Sequence, residues 1–240
     1  MDIEVKVLVP GDSWEQLRQL IPAGTDDKKR EVWFFEAVVN GEALLKSREL
    51  ILRARTNRKK NKADTTAKLR RWIPNYDAIL QAWTALEGFK SEYDAGGDPS
   101  GVAADQDAGG VPAWSLTIEP EDPADLFKLT DHDIAVEHLF NHHQRVLLEH
   151  VWPQLPWGQL KPLGPIDSVK WAALHDLSIE QWTIAGETLF EVSKRGEKEA
   201  AAAIAADIRQ HLTALAIPSS GNGEGKTAWA LKRLIHAQPS

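Results

Sequence analysis

An α+β fold of mostly antiparallel strands is the class this sequence predicts, and three observations predict it. Strand-like stretches follow one another in hairpin order with turn signals between them, without the strand–helix alternation of a doubly wound sheet. Several of these strands are charged on one face and apolar on the other, the pattern of a barrel with a charged lumen. Helical periodicity is confined to a few segments that would flank the strands. About eight strands and five helices are expected, in a single domain spanning 1–240 with a C-terminal helical extension from about 198.

The elements follow in chain order. In Asp2-Ile3-Glu4-Val5-Lys6, alternation puts Asp2, Glu4 and Lys6 on one face and Ile3, Val5 and Val7 on the other. Asp12 or Ser13 is expected to cap a short helix from Trp14 to about Ile21. The β-branched and aromatic run from Arg30 to Val39 reads as a strand ending at the Asn40-Gly41 turn. In Leu50 to Asn57, Arg53 and Arg55 share a face. In Thr65 to Trp72, Thr66, Lys68 and Arg70 do the same. Alternation alone also fits a solvated basic hairpin.

Helical spacing covers 74–86, and Gly88 to Asp94 reads as a strand with Lys90, Glu92 and Asp94 on one face. Gly96 to Val111 is a Gly/Asp-rich loop and Trp114 to Glu119 another strand. Ile134 to Trp152 is expected to be one amphipathic helix, followed by a Pro/Trp-rich linker over 153–165. Strands at 166–173, 179–184 and 188–195 precede an alanine-rich helix over about 198–215 and a short closing helix over 227–236.

Composition narrows the function classes. At 240 residues, 42% apolar and 26% charged, the chain has the make-up of an ordinary globular protein with a sizeable core. A net charge of -7 argues against general nucleic-acid binding, though not against a local basic site. With no cysteine, disulfide and thiolate chemistry are excluded. No apolar run approaches the roughly 20 residues that cross a membrane, and the N-terminus has no apolar signal region, so a cytoplasmic protein is expected. The ten tryptophans are expected in core and rim packing.

The strand charges form a set. Lys6, Arg53, Arg55, Lys68, Arg70 and Lys90 are cations; Asp2, Glu4, Glu92, Asp94 and Glu191 are carboxylates. Buried charges of both signs need partners. A polyanion with a divalent metal would satisfy both, cations clamping phosphate oxygens and carboxylates holding Mg2+ or Mn2+.

On these residues the chain resembles the CYTH superfamily, the triphosphate tunnel metalloenzymes. Asp2-x-Glu4-x-Lys6 is similar to the family's E-x-E-x-K signature, Trp33-Phe34-Phe35 to its aromatic second strand, and Leu52-Arg53-Ala54-Arg55 to its L-R-x-R strand. Thr66-Ala67-Lys68 is similar to its T-x-K strand, and Glu191-Val192-Ser193 stands where the family often carries an E-x-E pair. Asp2 is shorter than the usual glutamate, and Ser193 replaces the second acid of the late pair. The resemblance implies a closed, eight-stranded antiparallel β-barrel, a tunnel that binds a triphosphate with Mg2+ or Mn2+. Lys6, Arg53, Arg55 and Lys68 would be phosphate ligands, joined by Arg70 and Lys90. Asp2, Glu4 and Glu191 would be metal ligands, with Glu92 and Asp94 as candidates by strand position and Glu4 and Lys6 as the catalytic pair. The implied activity is metal-dependent hydrolysis of inorganic tripolyphosphate or an organic triphosphate. The alternatives are a class IV-type adenylate cyclase and a non-catalytic polyphosphate or nucleotide-binding module. The expected partner is a triphosphate-bearing small molecule or polyphosphate, with no nucleic-acid duplex and no membrane.

Two other motifs compete. Gly221 to Thr227 looks like a phosphate loop, but Ser220 stands where the pattern needs glycine and too little chain follows, so a glycine loop with Lys226 exposed is expected. His138 and His142 have a zinc-capable spacing, yet surface histidines are the expectation. Glu180, beside Trp182, either lines the tunnel or sits at its rim.

Overall fold

The computed structural model describes residues 2–70, 85–96, 111–131, 134–218 and 225–237, with the side chains of Asp2, 91–96, 111–112, Asp131 and Lys198 outside the description. The expected helix over 74–86 and loop over 96–111 lie almost wholly outside the described residues. Eleven strands are described: β1 (Asp2–Pro10), β2 (Lys28–Glu36), β3 (Val38–Val39), β4 (Glu42–Ala43), β5 (Leu50–Asn57), β6 (Lys62–Arg70), β7 (Phe89–Gly96), β8 (Val111–Ile118), β9 (Lys161–Ala172), β10 (Ser178–Ile184) and β11 (Glu187–Glu197). The α-helices among the described residues are α1 (Trp14–Leu17), α2 (Leu44–Ser47), α3 (His142–Val151), α4 (Ala201–Ala214) and α5 (Lys226–His236). None is long and apolar enough to cross a membrane. The class is α+β, as expected. Contacts divide the chain into two compact units, 1–29, 92–111 and 166–233 in the first and 30–91, 112–165 and 234–240 in the second.

In the first unit the strand order is β7-β1-β11-β10-β9. Ile3, Val5, Val7 and Val9 are buried because alternation turns them all toward α1 and α4, where they meet Leu17, Ile204, Ala205, Ile208 and Leu212. Each fully buried aliphatic of this kind contributes about 1.5–3 kcal/mol relative to exposure. Trp14 stacks on Phe190 with ring centroids 5.6 Å apart, a packing role of the kind expected for the tryptophans. β10 and β11 join through Ala185 and Gly186, both at positive φ (49° and 86°), the geometry of a tight hairpin turn.

In the second unit the order is β2-β5-β6-β8. Its apolar face, with Trp33, Phe35, Leu52, Ala67 and Leu116, packs on Phe140, Leu147 and Leu148. Gln144 of α3 is fully buried among them and its amide is saturated. Its Nε2 donates to the carbonyls of Thr65 and Leu116, both at 3.0 Å, and its Oε1 accepts from Thr65 Oγ1 and Asn141 N, both at 3.1 Å. Glu36, also buried, accepts N–H bonds from Ala37, Leu45 and Lys46 and so closes the start of α2. Burial raises its pKa, opposed by those backbone donors.

Several expectations need correction. Among the described residues the main strands number nine where about eight were expected, beside the β3–β4 ribbon around Asn40-Gly41, and they are not all antiparallel: β7 runs parallel to β1, with Asp94 level with Glu4. Periodicity within a strand carries no record of its neighbours, so strand number and direction escaped it. The helix expected over 134–152 is split into a 3-10 turn (Val136–Leu139) and α3. Asn141 ends the first and starts the second by a capping box with Gln144. The segment over 14–21 is a one-turn α-helix continued as 3-10, and neither Asp12 nor Ser13 makes a side-chain cap bond. β9 begins at Lys161, inside the expected linker.

Candidate functional site

The second unit presents a cationic face. Leu52 and Ala54 point into its core, so Arg53 and Arg55 point the other way; Ala67 and Leu69 do the same for Thr66, Lys68 and Arg70. Register then sets these residues side by side, Arg53 opposite Thr66, Thr66 opposite Thr117, and Lys68 opposite Ile51 and Ser115. Thr66 and Thr117 share a hydroxyl hydrogen bond of 3.0 Å. All four cations are half-buried. Asp64 was missed in the sequence: it lies opposite Arg55 and accepts from its Nε at 2.8 and 3.1 Å. The signal was there in its parity with Thr66 and Lys68, but the strand was expected to begin only at Thr65. Lys90 stands exposed on β7, beside Phe89, which packs toward the core.

The first unit presents a face of both signs. Glu4 and Lys6 lie on it, since Ile3, Val5 and Val7 take the apolar side; Arg195 is opposite Glu4 and Ser193 opposite Lys6. Glu4 Oε2 is 3.1 Å from Lys6 Nζ, and its Oε1 is 3.6 Å from Arg195 Nε and accepts from Ser193 Oγ at 3.4 Å. Burial opposes ionisation of Glu4, but the Lys6 and Arg195 charges outweigh it and hold its carboxyl at about 2. Glu4 is therefore a permanent anion at neutral pH and a poor proton acceptor. Glu191 lies opposite Glu180, and Glu180 opposite Lys170.

The largest departure from the sequence reading is Lys226. It is not exposed: its side chain is 11% exposed, and Nζ donates to Glu180 Oε2 at 2.5 Å and Glu191 Oε1 at 2.8 Å. Burial disfavours the ammonium, yet the two carboxylates raise its pKa above the usual lysine value. The same ammonium depresses Glu180 against the cost of burial. The partners are 46 and 35 residues away, so no local pattern could announce the contact.

These donors bear on a metal. Glu180 and Glu191 converge oxygens on a single cationic nitrogen, a donor type and arrangement that suit a hard cation. Among the described residues no group of three or more His, Asp or Glu gathers at one point. The side chains of Asp2, Glu92 and Asp94, expected metal ligands, lie outside the described residues. His138 and His142 are both exposed and belong to different helical segments.

No protein-family model and no curated protein matches the chain. Among solved structures, it is similar to HpAC1 from Hippeastrum, with a TM-score of 0.61 and 15% identity over 95% of this chain and 94% of that one. That protein is a candidate adenylyl cyclase with a dominant triphosphatase activity. The two chains share a fold. At 15% identity the likeness is one of architecture alone. A Pyrococcus horikoshii protein (TM-score 0.46, 11% identity, 90% and 92% of the two chains) is more distantly similar. So is a candidate adenylate cyclase from Vibrio parahaemolyticus (TM-score 0.45, 9% identity, 95% and 96%).

Proposed function

We propose that this chain binds a triphosphate-bearing anion and hydrolyses it with the help of Mg2+ or Mn2+. The observation that carries the reading is the set of Arg53, Arg55, Lys68 and Arg70 on one sheet face. Guanidinium forks match phosphate oxygens in pairs, and a row of such cations spaced along two strands suits a chain of phosphates better than a single one. The dominant triphosphatase activity of HpAC1, a protein with this fold, supports it.

In this reading Arg53, Arg55, Lys68 and Arg70 hold phosphate oxygens, Asp64 sets the orientation of Arg55, and Lys90 is a peripheral contact. Lys6 neutralises a further phosphate oxygen while Glu4 holds it in place. Glu4 and Glu191, with Asp2, Glu92 and Asp94, would hold the divalent ion, which when bound neutralises phosphate charge and polarises phosphorus. The remaining work is positioning and charge compensation.

Phosphate release from tripolyphosphate, ATP and thiamine triphosphate, each with Mg2+, Mn2+ or chelator, tests this. Metal-dependent release that Arg53→Ala abolishes is expected; its absence from every substrate refutes hydrolysis. Cyclic AMP formed from ATP would assign the adenylate cyclase alternative. A non-catalytic binding module is the second reading, favoured by Lys226 between Glu180 and Glu191 and by Ser193 in place of an acid. It predicts a thermal shift with tripolyphosphate and no turnover.

A further inference from the structure

The charged face of the first unit carries a cation of its own. Lys226 opens α5, a helix in which Trp229, Ala230 and Leu231 are buried and Arg233 pairs with Glu187 of β11 at 2.7 Å. From there its ammonium enters a cage with three walls. Glu180 and Glu191 accept its hydrogen bonds, and the Trp182 ring lies 4.4 Å away on a third side. The second oxygen of Glu180 is already committed, accepting from Ser168 Oγ at 2.8 Å and Trp182 Nε1 at 2.9 Å. Glu180 is thus locked in one orientation, with its free oxygen aimed at the cation.

Two facing carboxylates in a place this sheltered repel one another unless a positive charge sits between them. Lysine supplies one charge; a divalent ion would supply two, to the same kind of oxygen donors. The two cannot be held together. Mg2+ needs oxygen bonds of about 2.1 Å, and the ammonium stands on the spot where those bonds would converge.

We propose that Lys226 is a built-in counter-cation that competes with a divalent metal ion for the Glu180–Glu191 pair, so that α5 keeps these carboxylates closed until the ion displaces its ammonium. This rests on the reading that a divalent ion accompanies the polyanion. It adds a regulatory contact supplied by the C-terminal helix, and it brings Glu180 into the site beside Glu191.

Mn2+ binding to the full chain, followed by loss of the free-ion EPR signal, is compared for the wild type, Lys226→Met and Lys226→Met with Glu180→Gln. Lys226→Met is expected to bind Mn2+ at least about tenfold more tightly than the wild type, a difference of about 1.4 kcal/mol, and Glu180→Gln to remove the gain. Coincident isotherms for wild type and Lys226→Met, or a gain that survives Glu180→Gln, overturn the proposal. Because Lys226→Met leaves two buried carboxylates face to face, circular dichroism is recorded with and without Mn2+. A chain that folds only with Mn2+ supports the proposal, and one unfolded in both conditions overturns it. A thermal shift of the wild type with metal-free tripolyphosphate is measured in parallel. A shift with coincident Mn2+ isotherms keeps the triphosphate reading and removes the competition; a Mn2+ gain without a shift does the reverse.

Discussion

Glu4→Gln should remove a stabilising charge whose contribution depends on pH in a defined window. The carboxyl titrates near 2 in the fold against 4.5 for a free glutamate, because Lys6 and Arg195 outweigh the cost of burial. That difference corresponds to about 3 kcal/mol of stability at neutral pH. A depressed carboxyl stabilises the fold above its unfolded value and loses that contribution as pH falls through the folded one. The wild type should therefore exceed Glu4→Gln by about 3 kcal/mol at pH 7, with the gap starting to close below about pH 4.5 and vanishing near pH 2. There a protonated Glu4 and a glutamine are near equivalents. Arg195 is largely exposed and its share should be screened by salt, while Lys6, 20% exposed, should keep most of its share. Urea unfolding of both proteins at a series of pH values, at low and high salt, measures the gap directly. A gap that is absent at pH 7, or unchanged from pH 7 to 2, refutes the ion-pair account of this face.

Three further outcomes are expected. Gln144→Met should cost about 2–3 kcal/mol in urea unfolding, because the Thr65 and Leu116 carbonyls each lose a buried donor; a loss under about 1 kcal/mol would mean that water or a neighbour takes over. Ile208→Ala, fully buried where α4 meets β1, should cost about 2–5 kcal/mol with no change in the pH dependence, since only packing is lost. Arg53→Ala and Lys68→Ala should each weaken tripolyphosphate binding by about tenfold or more in calorimetry, whereas exposed Lys90 should matter less than about threefold; an equal effect at all three would point to diffuse charge attraction instead of a built face.

Much of the charged architecture was legible in the chain because strand parity is local. Arg53 and Arg55 had to share a face, as did Lys68 and Arg70, once Leu52, Ala54, Ala67 and Leu69 were assigned to a core; β5 occupies the expected residues, 50–57. Glu4 and Lys6 follow from Ile3, Val5 and Val7 in the same way. The helix over 134–152 shows where that reasoning stops, because the apolar spacing runs through Asn141 while its side chain breaks the helix there.

What the amino-acid sequence determined alone is therefore which residues point the same way within each strand and which faces are apolar, since a two-residue period needs no knowledge of neighbours. Tertiary structure decided which strands stand side by side: that Asp64 faces Arg55, that β7 runs parallel to β1, and that Lys226 reaches Glu180 and Glu191. Each of these joins groups across a turn or across tens of residues, through register and helix docking. Such contacts are selected by the packing of whole surfaces and by the need to neutralise buried charge, and neither is encoded in any short stretch of the chain.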